Sequence, residues 1–148
     1  MYSIEEFDEK KTQVMKYIVY KRRTEQEVRN KFSKTIDESM LEDIIEYLKE
    51  AKYLDDSKYI KKMIDNFKIL KNLSIKEVKY KLLSKGLDKD KIEDYIYDHK
   101  EELNEYEIKS AKNLIIKKQK DMEEDQIKQY LLKKGYSIEN INSAISDC

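Results

Sequence analysis

The chain has 148 residues, of which 42% are charged and 39% hydrophobic, and its 31 basic and 31 acidic side chains cancel. Proline is absent and glycine occurs only twice, so most of the residues that favour tight hairpins and break helices are missing. No stretch approaches the roughly 18 uncharged residues of a membrane span, and the start of the chain is too acidic for a signal peptide. We therefore expect an all-α, cytoplasmic protein.

A longer helix is predicted ahead of each of three pairs of short helices. These longer helices are expected over residues 3–23, from Asp55 or Asp56 to about Lys71, and over residues 104–120. Ser3 with Glu6 offers a capping box for the first of them. Residues 98–105 are also compatible with a helix, so the third could begin earlier without a break.

The three pairs of short helices share one pattern, at residues 24–45, 74–96 and 123–145. In each segment a capping pair is followed by inward-facing aliphatic residues, a turn and a second apolar stripe. The segments begin 50 and 49 residues apart, a regular spacing that is typical of stacked modules. The sequence thus predicts three tandem three-helix repeats, at residues 1–50, 51–100 and 101–148.

The segment at 74–96 shows the pattern most fully. Ser74 and Glu77 form its capping pair, and Gly86 stands where a left-handed residue ends a helix. Its inward stripe is predicted to include Val78, Leu82 and Leu83.

The other two segments each depart from this pattern at one place. The first has the capping pair Thr24 and Glu27 but lacks the glycine. The third has Gly135, with Leu131 and Leu132 predicted inside, but Glu123 replaces the Ser or Thr cap, so its helix start is less well defined. Because a unit of about 45 residues is near the lower limit for an independent core, we expect the repeats to stack into an elongated, curved array.

The segment that joins the first two repeats resembles the signature of RecX proteins. This stretch runs from Leu48 to Ile60, and its characteristic residues are Tyr53, Leu54, Asp55, Asp56 and Tyr59. Gly86 and Gly135, in their turns, resemble the family's repeats as well, and the resemblance covers essentially the whole chain in order. We interpret these signature residues as mainly structural, since paired acids ahead of a helix usually cap it.

The chain departs from the family pattern at a few positions. Lys52 stands where the family prefers glycine, which weakens the expected left-handed turn, and Asn72 stands where a glycine often precedes the second capping pair. Lysine also replaces much of the family's arginine, which keeps the charge but loses bidentate geometry.

The resemblance implies a regulator that lies along the RecA nucleoprotein filament. Such a protein modulates the recombinase, ATPase and coprotease activities of RecA, with inhibition as the expected direction, and so limits recombination and the SOS response. The implied partner is the RecA recombinase filament, with single-stranded DNA as a weaker second ligand and no membrane, and we expect a monomer.

Positive charge is concentrated in the middle of this neutral chain. Residues 58–91 contain eleven lysines and four acidic residues. If any surface contacts the filament or DNA, we expect this one to do so. The candidate contact residues are Lys58, Lys61, Lys62, Lys68, Lys71, Lys76, Lys79 and Lys85. The alternative is that these lysines solvate the outer faces of helices.

No pattern in the sequence predicts catalysis, a metal site or a cofactor. His99 is the only histidine and Cys148 the only cysteine, so neither has a partner for a metal site or a disulfide. We expect a binding protein that is not an enzyme. Two alternatives to a RecA regulator stay open: a DNA-binding regulator with a helix-turn-helix pair, and a helical scaffold that bridges other proteins.

Overall fold

The structure is a computed structural model that describes residues 2–147, so Cys148 lies outside the described residues. Within this range the chain forms nine α-helices and no strand, which confirms the all-α class. The helices are α1 (Ile4–Tyr20), α2 (Glu25–Phe32), α3 (Glu38–Glu50), α4 (Asp56–Leu70), α5 (Ile75–Ser84), α6 (Lys89–Asp98), α7 (Lys100–Lys118), α8 (Glu124–Lys134) and α9 (Ile138–Ser146).

Most helices begin where a short polar side chain satisfies a free backbone N–H at the helix start. The predicted capping boxes of α2 and α5 are confirmed, with Thr24 paired to Glu27 and Ser74 to Glu77. At α4 the capping residue is Asp55, whose carboxylate accepts a hydrogen bond from the Lys58 N–H at 3.1 Å. These local hydrogen bonds fix the helix boundaries that the sequence pattern predicted.

One predicted helix end was wrong. The first helix stops at Tyr20, three residues before the expected end, because the chain turns extended at Lys21 ahead of the Thr24 cap. The seventh helix begins at Lys100, directly after His99 ends α6, so the earlier of the two expected starts is the observed one. The ring of His99 stacks on Tyr95 at this tight connection, with 3.9 Å between ring centroids.

The helices gather around three hydrophobic clusters, which define three helical groups. The first group is α1–α3, the second is α4–α6 and the third is α7–α9. Leu103 and Tyr106 near the start of α7 belong to the second cluster, so α7 packs against both the second and the third core. The second core therefore extends beyond residue 100, although the proposed boundaries of the repeats remain a prediction.

Two leucines that were predicted to be buried are instead partly exposed. Leu82 and Leu131 are fully enclosed, but their neighbours Leu83 and Leu132 are 37% and 40% exposed. Since successive helix positions are turned by about 100°, a helix of 10 or 11 residues that packs on one side buries only one member of each pair.

The left-handed turns fall at three positions. Gly86 and Gly135 have φ of +80° and +103°, as predicted for both glycines, and Lys52 has φ of +64°. Lys52 lies two residues after the end of α3, and the following Tyr53 N–H bonds back to the Leu48 carbonyl at 2.9 Å. A lysine in this conformation costs of order 1 kcal/mol relative to glycine. Asn72, where the family often has glycine, does not adopt a left-handed conformation.

The register of the second group can be tested with Leu82→Ala and, as its matched control, Leu83→Ala. We expect Leu82→Ala to lower the free energy of unfolding by about 2 to 5 kcal/mol, because it leaves a cavity in the core. Leu83→Ala should cost less than about 1 kcal/mol, since that side chain already contacts water. Urea unfolding of both variants measures the difference, and equal losses would contradict the register.

Candidate interaction surfaces at the group junctions

The eight candidate lysines of the second group fall into three kinds of environment. Three form ion pairs: Lys61 with Asp65 at 2.9 Å, Lys68 with Glu102 at 3.4 Å and Lys79 with Glu93 at 2.7 Å. Two belong to contacts between groups, namely Lys76 and Lys85. The remaining three, Lys58, Lys62 and Lys71, have no carboxylate of residues 2–147 within 4 Å of their amines.

The signature residues that link the first and second groups divide between core, cap and surface. Leu54 and Tyr59 are buried in different cores, and Asp55 caps α4. Asp56 bonds to the first group, whereas Tyr53 is 57% exposed. The structure therefore gives a structural role to four of these five residues and leaves Tyr53 on the surface.

One hydroxyl joins the first group to the second. Thr24 Oγ1 accepts the Glu27 N–H at 3.0 Å as a helix cap, and it donates its own hydrogen to the carbonyl of Lys85 at 2.8 Å. That carbonyl lies at the end of α5, where helical partners are lacking. A hydroxyl can donate and accept at once, so one buried threonine satisfies the start of one helix and the end of another.

Two further contacts complete this first junction. Asp56, at the start of α4, accepts the Glu25 N–H at 3.0 Å, and burial raises the pKa of this carboxyl while the N–H bond opposes the rise. Gly86 lies against Gln26, and a Cβ on this glycine would sit only 2.5 Å from the Gln26 Cβ. The glycine is therefore needed both for its positive φ and for the close approach of the groups.

The second and third groups meet through the same set of contacts. Ser74 Oγ accepts the Glu77 N–H at 3.0 Å and donates to the carbonyl of Lys134 at 2.8 Å. Gly135 follows that carbonyl, and a Cβ there would lie 2.9 Å from the Cβ of Lys76. Hydroxyl, carbonyl and glycine thus recur at an offset of 49 or 50 residues, which makes the two junctions equivalent.

The acid of the second junction, Glu107, was missed by the sequence analysis. It is only 2% exposed, and its carboxylate accepts the Ile75 N–H at 2.8 Å, the Asn140 side-chain amide at 2.5 Å and the Ser137 N–H at 3.4 Å. Three donors compensate the burial of this charge. Glu107 follows Asp56 by 51 residues, so an alignment of the repeats was the signal that could have found it.

A basic groove lies beside the first junction, between the end of α1 and the start of α4. Its volume is about 300 Å³. The groove is lined by Ile18, Val19, Arg22, Arg23, Lys52, Tyr53, Asp55 and Lys58. Four cations thus face a single carboxylate, which already caps α4. The guanidinium of Arg23 lies 4.1 Å from the centre of the Tyr17 ring, and its Nε is buried without a hydrogen-bond partner.

A second groove lies beside the second junction, between the end of α4 and the middle of α7. Its volume is about 260 Å³. The groove is lined by Lys68, Ile69, Leu70, Lys71, Asn72, Tyr106, Lys109, Ser110 and Asn113. The Tyr106 hydroxyl is occupied inside the protein, since it donates to the Lys71 carbonyl at 3.0 Å and accepts the Leu73 N–H at 3.0 Å.

The described part of the chain contains no cluster of three or more His, Cys, Asp or Glu side chains that could hold a metal ion. None of its helices combines the length and the apolar character needed to cross a membrane. The features that stand out on residues 2–147 are therefore the two junctions and their grooves.

The fold places this chain among all-helical proteins assembled from three-helix groups. No family model matches it. It is 33% identical over 137 residues to "Regulatory protein RecX" of Staphylococcus carnosus (strain TM300), covering 90% of this chain and 51% of that protein. It is 32% identical over 147 residues to the protein of the same name from Streptococcus mutans serotype c, covering 96% and 56%. The chain thus spans about half the length of these curated relatives.

Two solved structures have folds similar to that of this chain. The crystal structure of RecX from Lactobacillus salivarius superposes with a TM-score of 0.83 at 24% identity, over 98% of this chain and 97% of that one. A second crystal structure of a regulatory protein RecX gives a TM-score of 0.80 at 20% identity, over 95% and 73%. The chain belongs to the RecX family.

The junction hydroxyl can be tested with Thr24→Val, which keeps the side-chain volume and removes both hydrogen bonds. We expect a loss of about 2 to 3 kcal/mol in the free energy of unfolding, since a cap is lost and the Lys85 carbonyl is left unsatisfied. Ser3→Ala is the control, because Ser3 caps the exposed start of α1 and should cost no more than about 1 kcal/mol. Thr24→Ser should be nearly neutral. Equal losses for Thr24→Val and Ser3→Ala in urea unfolding would contradict the junction role.

Proposed function

We propose that this chain binds the RecA nucleoprotein filament and modulates its recombinase, ATPase and coprotease activities, with inhibition as the expected direction. The observation that carries the proposal is the similarity to proteins named regulatory protein RecX over 90% and 96% of this chain. In a cell, this activity would limit recombination and the SOS response. The protein acts by binding and not by catalysis, at a surface and not in an enclosed pocket.

An elongated array of three repeats, at residues 1–50, 51–100 and 101–148, suits a long partner. The accessible surface is 10009 Å², whereas a compact monomer of 17.9 kDa exposes roughly 8000 Å². The excess supports an extended arrangement in which each group touches only its neighbours. A stack of this kind presents a long face, and a filament offers a matching length of surface.

The exposed lysines of the second group are proposed to contribute to this binding. The ion pairs of three of these lysines do not exclude a role in binding. An exposed ion pair contributes only about 0 to 1 kcal/mol to stability, so its lysine can exchange one carboxylate for another. Lys58, Lys62 and Lys71 are the strongest of the eight candidates, since they are exposed, pair with no carboxylate of residues 2–147 and take no part in the contacts between groups. Single-stranded DNA is proposed as a weaker second ligand.

RecA-driven ATP hydrolysis and strand exchange should change when this protein is added at near-stoichiometric amounts. We expect inhibition, because a protein lying along the filament opposes its growth. The variant Lys61→Glu/Lys62→Glu/Lys68→Glu/Lys71→Glu should weaken the effect while circular dichroism shows unchanged helicity. No change in either RecA reaction with the wild-type chain would contradict the proposal.

Parallel measurements separate the alternatives. Sequence-specific binding to duplex DNA without RecA would favour a helix-turn-helix regulator, although a chain with no net charge is a weak candidate for that role. Capture of other proteins in the absence of RecA would favour a scaffold. Unchanged RecA inhibition by the four-lysine variant would assign those lysines to solvation.

A further inference from the structure

The two grooves share equivalent residues of successive groups at several positions. Val19 and Lys58 line the first groove, and their counterparts Ile69 and Lys109, 50 and 51 residues later, line the second. The same offset relates the junction hydroxyls and acids. Because each junction creates one groove, the chain presents the same kind of surface twice.

Both grooves carry exposed apolar side chains at the same place. Val19, which lines the first groove, is 73% exposed and the adjoining Tyr20 is 87% exposed, both in the last turn of α1. Ile69 and Leu70, which line the second groove in the last turn of α4, are 80% and 73% exposed. A single exposed aliphatic residue needs no explanation, but exposed apolar residues at equivalent positions indicate a contact surface. Residues 2–147 form no third junction beside the end of α7. At that helix end the corresponding residues are polar, namely Lys118, Gln119 and Lys120.

Both grooves also carry cations without a carboxylate partner. No acidic side chain of residues 2–147 lies within 4 Å of the charged nitrogens of the first groove's Arg22, Arg23, Lys52 and Lys58, nor of Lys71 and Lys109 in the second. By contrast, Lys61, Lys79 and Lys112 each lie within 4 Å of a carboxylate. The positive charge of the grooves is therefore available to an external anion.

Lys52 adds an independent observation at the first groove. It is the one non-glycine residue among 2–147 with a positive φ, at a turn where glycine would fit without strain. Strained residues of this kind cluster at ligand-binding and switch regions. Here the side chain adds a fourth cation to the groove.

The features that the grooves share favour an acidic protein segment over a nucleic acid. Bases bind by stacking on aromatic rings, and the first groove offers Tyr53, but the ring of Tyr106 in the second is only 8% exposed. Both grooves have an exposed aliphatic side chain beside cations. A ligand complementary to such a surface has an apolar side chain as its anchor and carboxylates on either side of it. The zero net charge of the chain likewise argues against phosphate contacts as the main source of affinity.

We propose that the two junction grooves bind two copies of one acidic, apolar-anchored segment, displayed by successive subunits of a repeating protein partner. This inference rests on the proposed function, since a filament displays each of its segments once per subunit. Two modest contacts on one chain act together, so the second engages at a high effective concentration. The two equivalent grooves of this chain would then bind two equivalent subunits of the partner.

Charge reversal in each groove tests the inference on the full chain with RecA filaments assembled on single-stranded DNA. The variants are Arg22→Glu/Lys58→Glu in the first groove and Lys71→Glu/Lys109→Glu in the second, all at exposed positions. We expect each pair to weaken filament binding about tenfold, and the combined variant to weaken it far more. Lys81→Glu/Lys89→Glu is the control: it makes the same change of charge at exposed lysines of the second group outside both grooves, and should have little effect.

The apolar anchors provide a second pair of variants, Val19→Ser and Ile69→Ser, which leave the charge unchanged and remove only exposed side chains. Both should also weaken filament binding, and neither should weaken binding to bare oligo(dT). Wild-type binding with no loss in any groove variant would overturn the inference and leave the proposed function standing. Equal losses on filament and on oligo(dT) would overturn it in favour of a nucleic-acid occupant. A wild-type chain that does not bind the filament would overturn both.

Discussion

Two hydroxyl groups, those of Thr24 and Ser74, each serve two helices in different groups. Each accepts an N–H at the start of its own helix and donates to a carbonyl at the end of a helix in the next group. A group of three short helices has too little core to be stable alone, so the chain depends on these junctions. A glycine follows each receiving carbonyl because the neighbouring side chain leaves no room for a Cβ.

The same constraint explains where the pattern of the sequence changes. Serine and threonine cap the helices whose starts meet a following group, since only a hydroxyl can accept from one helix and donate to another in so little space. At α8, which makes no such contact within residues 2–147, Glu123 takes the capping position, and its N–H bonds to the Gln126 side chain at 3.0 Å. The replacement of Ser or Thr by Glu123 made the start of α8 seem less well defined in the sequence. In the structure it marks a helix that needs only a local cap.

Much of the fold could be predicted because helix caps and apolar spacing are local. The capping boxes at Thr24 and Ser74 and the turns at Gly86 and Gly135 all follow from residues within one turn of each other. Which neighbour of a leucine pair is buried, as at Leu82 and Leu83, depends on the packing partner and could not be predicted in the same way. Glu107 was missed because a buried carboxylate can be predicted only when its hydrogen-bond donors are known. These donors lie on α5 and α9, far from Glu107 in the sequence. The grooves required the same knowledge, since residues about 35 apart in sequence form each one.

Hydrogen exchange on the full chain, free and bound to RecA filaments, tests most directly whether the repeated junctions provide the binding surface. The account predicts that binding slows exchange in two places to a similar degree: around residues 19–23 with 52–58, and around residues 69–73 with 106–113. Helix α6, which lines neither groove and carries none of the candidate lysines, should exchange as in the free protein. Slowed exchange confined to α6, or to one groove alone, would contradict the account.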